Sequence, residues 1–193
     1  MSRLQHLEIE DLNPEQRAVL DAMRSGPRAA RHGRLGLVGP FGVWVRAPRI
    51  GNAAQAFGAV VRFETELPEN VKELAICTVG AHYRARFEFA AHGPLALAAG
   101  VDPAAVEAIR CGAVPVLEDP AEQLAYEIAG TLLTRHRLSD TQYARARQTF
   151  SEAQLIELVT VIGYYCQVSL TLNAFEVPLP EGTPDPFPGA VAP

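Results

Sequence analysis

An all-α fold is predicted by three features of the 193-residue sequence. Helix-start signals recur along the chain, no region alternates apolar and polar residues between hairpin turns, and the longest apolar run is too long for a strand. That run, "LVTVIGYYCQVSLTLNAF" from Leu158, carries Gln167 and Asn173 and follows Glu157, so it reads as a buried core helix rather than a bilayer span. Taken in order, Asn13-Pro14, with Gln16 at capping-box spacing, predicts a helix over 13–24. Residues 26–48, rich in glycine and arginine, read as a long loop with a short turn at "FGVWVRA". Helical stretches follow near 50–65, 69–82 and 86–99. Asp102-Pro103 and Asp119-Pro120 open helices over 103–110 and 120–136. Ser139 opens one over 140–148, and Ser151, boxed with Gln154, opens the last over 152–173. The proline-rich end cannot be helical and is expected to run as an extended arm over a neighbour or to be mobile. The chain thus divides into an N-terminal helix and loop (1–49), a helical core (50–177) and a C-terminal arm (178–193).

Hydrophobic residues make up 48% and charged ones 20%, the balance of a globular chain with a true core. A net charge of −5 offers no basic stripe for nucleic acid. The first thirty residues lack the apolar run of a signal peptide, so a cytoplasmic location is expected, with no membrane partner. Cys77, Cys111 and Cys166 form no C-x-x-C pair and are expected to be small core residues.

Within "LPENVKELAICTVGAHYRARFEFAAHG", Glu88 and His92 stand four apart, hence on one helical face among Phe87, Phe89, Ala90 and Ala91. A carboxylate beside an imidazole in a poorly solvated pocket orients it and raises its basicity, a potential proton-transfer pair. Glu73 precedes His92 by 19 residues. Along one straight helix that is about 28 Å, too far to cooperate. The three can meet only if the helix breaks between them, and Gly80 to Arg84 is the natural place.

Glu73, Glu88 fifteen residues later, then His92, aromatic neighbours around Glu88, and "HGPLALAAGV" after it resemble the core of the carboxymuconolactone decarboxylase family, within the alkylhydroperoxidase D-like superfamily. The likeness covers residues 50–112 and extends more weakly to "SLTLNAFEVPLP". It implies an all-helical, alkylhydroperoxidase D-like bundle assembled as a homotrimer or homohexamer, working on a small-molecule substrate without cofactor or metal. The peroxidase branch carries a C-x-x-C pair at positions that are Ala85 and Glu88 here. Without those thiols its disulfide chemistry cannot run, so the sequence resembles the decarboxylase branch.

The resemblance implies a lyase or isomerase acting on a small carboxylated lactone or ring-cleavage acid. His92 is then the proton-transfer group, Glu88 orients it, and Glu73 shares the proton or sets the tautomer. Tyr83 is a candidate donor to an enolate-like oxygen, and Arg84 or Arg86 a carboxylate clamp. Arg46, Arg49 and Arg62 are further carboxylate-binding candidates. Trp44 and Phe41 are candidate pocket walls, and Tyr164 or Tyr165 is a candidate to face the site. His82 and His136 have weaker claims at helix ends. A metal held by Glu73, Glu88 and His92 would have only one histidine ligand. Two other readings keep the fold: a thiol-dependent peroxidase, and a protein that binds a small ligand without chemistry.

Overall fold

A computed structural model describes residues 2–25 and 36–189 of the chain. Among these residues every regular element is a helix: α1 (Pro14–Ser25), α2 (Pro40–Trp44), α3 (Pro48–Phe63), α4 (Glu69–His82), α5 (Arg86–Ala98), α6 (Pro103–Cys111), α7 (Pro120–Arg135), α8 (Asp140–Thr149) and α9 (Glu152–Ala174). Residues 26–35 of the expected loop 26–48 lie outside the described residues. The loop's "FGVWVRA" portion is the short helix α2 and a following turn.

The starts are set by the residues that the sequence singled out. Asn13 and Gln16 bond reciprocally, each side chain accepting from the other's backbone N–H at 2.9 and 3.0 Å. Ser151 and Gln154 do the same. Ser139 and Gln142 form a third box, not foreseen from the sequence. The Asp102 and Asp119 side chains accept from first-turn amides of α6 and α7.

α4 is the central helix, packed against α5, α7 and α9. Ten consecutive residues, Val71 to Gly80, are buried, including Lys72 and Glu73. A helix buried all round belongs inside the molecule, not on its surface. α9 is long and apolar enough to cross a membrane by length and composition, but half of its apolar window is buried against the bundle.

Two expectations are corrected. Only Cys77 is a core residue; Cys111 is exposed and Cys166 half-buried, because each lies toward the solvent side of its helix. The C-terminal arm, through its last described residue Gly189, returns to its own chain. Phe187 is 3% exposed and packs edge-on against Phe89 at 5.3 Å. Asp185 pairs with Arg86 at 3.1 Å, and Arg110 donates to the Pro186 carbonyl.

α3 begins where α2 ends, and the contact is tight: a Cβ on Gly51 would stand 2.2 Å from the Trp44 carbonyl oxygen. Alanine at an exposed helix position normally adds about 1 kcal/mol over glycine. Here forced displacement outweighs that gain, so Gly51→Ala is expected to destabilise the fold by about 1–3 kcal/mol. A lowered urea midpoint with unchanged slope is the measurement.

Candidate active site

The break that the site needs is present, and it is built from backbone. α4 ends at His82; Arg84 takes a left-handed conformation, φ 48°, its N–H bonds the Ala81 carbonyl at 3.0 Å, and the Ala85 N–H bonds the Gly80 carbonyl at 2.8 Å. This pair of bonds is a Schellman closure, with arginine where glycine is usual. The chain reverses, α5 starts at Arg86, and α5 lies back along α4. Glu88 and His92, on the first two turns of α5, thereby face Glu73 of α4.

His92 sits between the two carboxylates. Its Nδ1 hydrogen bonds Glu73 Oε2 at 2.7 Å, and its Nε2 lies 3.1 Å from Glu88 Oε1. The second contact is an ion pair without hydrogen-bond alignment, which leaves Glu88 Oε1 buried with no aligned donor. All three residues are buried.

The chain of charges continues behind Glu73. Arg62 of α3 approaches Glu73 Oε1 at 2.5 Å and Glu69 at 2.8 Å. Glu69 in turn meets Lys72 at 2.9 Å. Lys72 also donates to the Arg62 carbonyl at 3.0 Å and lies 3.3 Å from Thr65 Oγ1. The order Lys72, Glu69, Arg62, Glu73, His92, Glu88 alternates in sign and sums to zero when His92 is protonated. Desolvated charges are tolerated when each has an opposite neighbour, as here.

Burial alone would push the His92 pKa down. Glu88 first, with Glu73, outweighs it and lifts the group to about 9. At neutral pH the imidazole is therefore a cation, hydrogen bonded to Glu73 through Nδ1 and ion-paired with Glu88 through Nε2, not a free base. Arg62, although burial opposes its charge, is held fully charged chiefly by Glu73. The Tyr165 phenol, beside the His92 ring at 5.0 Å, is kept protonated by burial first and then by Glu88.

The sign of the resulting pH dependence is fixed. A histidine whose folded pKa lies above its unfolded value of about 6.5 adds stability below that value and loses it as pH rises through the folded pKa. Stability is therefore expected to fall by on the order of 3 kcal/mol between about pH 6.5 and beyond pH 9. Denaturation midpoints across that window check it, and His92→Gln is expected to remove most of the slope.

A cavity of about 280 Å³ opens beside Glu88 and His92. Its apolar wall comes from Phe41 and Trp44 of α2, Phe87 and Leu95 of α5, and Val168 of α9; Arg62, Tyr164 and Tyr165 complete it. Tyr164 donates to the Ala54 carbonyl at 3.2 Å. The Tyr165 hydroxyl has no hydrogen-bond partner among the described residues, so it is available to a ligand.

The structure thus brings Glu73, Glu88 and His92 together, and Phe41, Trp44, Tyr164 and Tyr165 with them. It does not bring Tyr83, Arg84 or Arg86 to the cavity wall. The Tyr83 hydroxyl meets the Cys166 thiol, Arg84 lies 5.2 Å from the Phe187 ring, and Arg86 pairs with Asp185. The cause is local: the turn that reverses the chain points these three side chains away from the α4–α5 seam. Arg46 bonds the Gln5 carbonyl, and Arg49, His82 and His136 are off the cavity. Arg62 is the guanidinium on the wall. Glu69 and Lys72 were missed as members of the charge chain. The available signal was the chain's single lysine, inside an apolar helix and within four residues of two glutamates.

Cys77, the thiol nearest the carboxylates, is wholly buried, and its pKa is held well above the usual thiol range by burial, then by Glu73 and Glu88. Among the described residues no cysteine lines the cavity, so the wall offers no thiolate. Both ring nitrogens of His92 face carboxylates, which leaves neither lone pair directed at a metal, and no cluster of potential ligands among the described residues has a metal site's arrangement. No protein-family profile matches the chain, and no curated protein matches its sequence.

Proposed function

We propose that the chain is a cofactor-free proton-transfer enzyme of lyase or isomerase type, acting in the cytoplasm on a small, largely apolar lactone or related carbonyl compound. One observation carries the reading: a buried carboxylate, Glu88, with an oxygen that lacks an aligned donor, at the end of an apolar cavity and backed by a charged imidazole. Glu88 takes a proton from the carbon beside the carbonyl and returns it at a second position. The His92 imidazolium, anchored by Glu73, balances the Glu88 charge and moderates its basicity. The protonated Tyr165 phenol donates to the oxygen on which negative charge develops.

The charge distribution narrows the substrate. Arg62 is already paired with Glu69 and Glu73, so the described wall presents a carboxylate and no unpaired cation. That supports a neutral carbonyl ring at the Glu88 end. Loss of CO2 from a carboxylated lactone, implied by the resemblance to the decarboxylase branch, requires the carboxylate to lie at the mouth or to share Arg62.

A panel of neutral and carboxylated lactones in D2O, followed by NMR, tests the proposal. Deuterium uptake, isomerisation or CO2 release by the wild-type chain and not by His92→Gln supports it. A ligand that raises the melting temperature, with no panel member changed, sinks the enzyme reading and leaves a binding protein.

A further inference from the structure

The first turn of α5 carries Glu88 and has no side-chain cap. Ala85, at the N-cap position, offers nothing to the first amides, and Arg86 places a cation at the first helical position, where the helix dipole disfavours it. Packing on two sides holds the turn instead. On the inner side α4 comes close: a Cβ on Gly80 would stand 3.5 Å from the Phe89 amide nitrogen and 3.7 Å from Glu88 Cγ. The outer side is covered by the C-terminal arm.

The arm meets this turn through Asp185, Pro186 and Phe187. Phe187 shares a buried cluster with Leu74 of α4 and Phe89 of α5, the chain neighbours of Glu73 and Glu88. Three arginines surround the plug. The Arg84 guanidinium lies over the Phe187 ring, Arg86 donates to Asp185 Oδ2, and Arg110 donates to the Pro186 carbonyl. The Phe187 amide is satisfied within the arm, by Asp185 Oδ1 at 2.9 Å. Pro184, Pro186 and Pro188 alternate with the two anchoring side chains. Proline restricts φ and carries no N–H, so the stretch has little conformational freedom to lose on docking. Upstream the arm is loosely held: between Pro178 and Pro184 the only hydrogen bond among the described residues is its own, from the Thr183 amide to the Pro180 carbonyl.

We propose that Asp185-Pro186-Phe187 is a positioning anchor for Glu88: docked on Arg84, Arg86 and Phe89 from outside, it holds the first turn of α5 and so fixes the carboxylate against His92. Arg86 and Phe89 are the first and fourth residues of α5, and Glu88 is the third. A turn pinned at both ends cannot carry Glu88 away from the ring. The other groups around His92 are Glu73, with Arg62 behind it, and Tyr165; they come from α4, α3 and α9, and none bonds to the arm. The consequence for turnover rests on the proposed role of Glu88, whereas the Glu88–His92 contact can be read without a substrate.

NMR titration of the His92 ring in full-length variants is that reading. Glu88 is the leading charge that lifts this group to about 9, so a displaced Glu88 lowers it. Phe187→Ala is expected to give a folded chain whose His92 binds its proton about tenfold less tightly, a fall of about one in pKa. A peptide of sequence GTPDPFPG, residues 182–189, added to that variant is expected to restore the ring, and Phe187→Leu, which keeps the apolar bulk, to stay near wild type. Asp185→Ala leaves the core filled and is expected to move the ring the same way by less, measured in high salt to screen the lost charge itself. Phe150→Ala removes the same atoms from a similarly buried position in the larger core cluster; it is expected to lower the melting temperature without moving His92. A ring unmoved in folded Phe187→Ala overturns the proposal, as does a ring unmoved in Asp185→Ala where Phe187→Ala does not fold. So does an equal fall in Phe150→Ala, or a peptide that binds without restoring the ring. Once a substrate is found, kcat is expected to fall with the ring pKa while KM changes little. A substrate panel without turnover removes the enzyme reading and leaves the anchor standing.

Discussion

Glu88→Gln is expected to give a folded protein that has lost about 10²- to 10⁴-fold of its turnover, the range for removing a positioned acid or base. The substitution keeps shape and volume. It removes the one carboxylate that lines the cavity with an oxygen lacking an aligned donor. It also removes the leading charge that lifts His92, so the imidazole pKa is expected to drop below its value of about 9. NMR titration of the His92 ring, alongside kcat, separates the outcomes. Lost turnover with a lowered pKa and unchanged melting behaviour fits Glu88 as the reacting group. Undiminished turnover excludes it.

Glu73→Ala is expected to be the most damaging single substitution for stability, costing about 3–5 kcal/mol, the usual effect of breaking a buried ion pair on one side only. Glu73 is wholly buried between Arg62 and His92, with side-chain contacts to both. Its loss leaves two buried cations facing an empty space. Glu73→Gln retains the shape and is expected to cost less. Replacing Arg62 and Glu73 together by apolar residues of similar volume is expected to recover much of the loss, because His92 keeps Glu88 and Lys72 keeps Glu69. Chemical denaturation of the three variants checks the order. Equal losses in all three would show that packing, not charge pairing, sets the cost.

The helices were legible because their start signals are local: Asn13, Asp102, Asp119, Ser139 and Ser151 each act within a few residues. The Glu73, Glu88 and His92 meeting was legible for a related reason. The needed break is encoded within Gly80 to Arg84, and only one reversal separates the partners. The opposite wall was harder to read, since α2 and α9 reach it from distant parts of the chain. Arg62 could be named as a candidate but not chosen over Arg84 or Arg86, because side-chain direction at a Schellman turn is set by φ at one residue. The arm after Pro178 was misjudged because proline excludes helix but says nothing about what a single Phe187 will pack against. The family likeness rests on the spacing of a few residues, and the activity it implies remains a proposal with a defined assay.

The alternating chain from Lys72 to Glu88 also bears on how such a site can diverge. Every interior member has two opposite neighbours, so a charge-changing substitution at one of them unbalances the core, while Lys72 with Glu69, Arg62 with Glu73, or His92 with Glu88 can be changed together and leave the rest paired. Sequence drift at these six positions is therefore channelled through paired replacements. Of the two terminal members, Lys72 and Glu88, each with a single ionic partner, only Glu88 faces the cavity. It is the position from which new chemistry can be tried with the least disturbance to the fold.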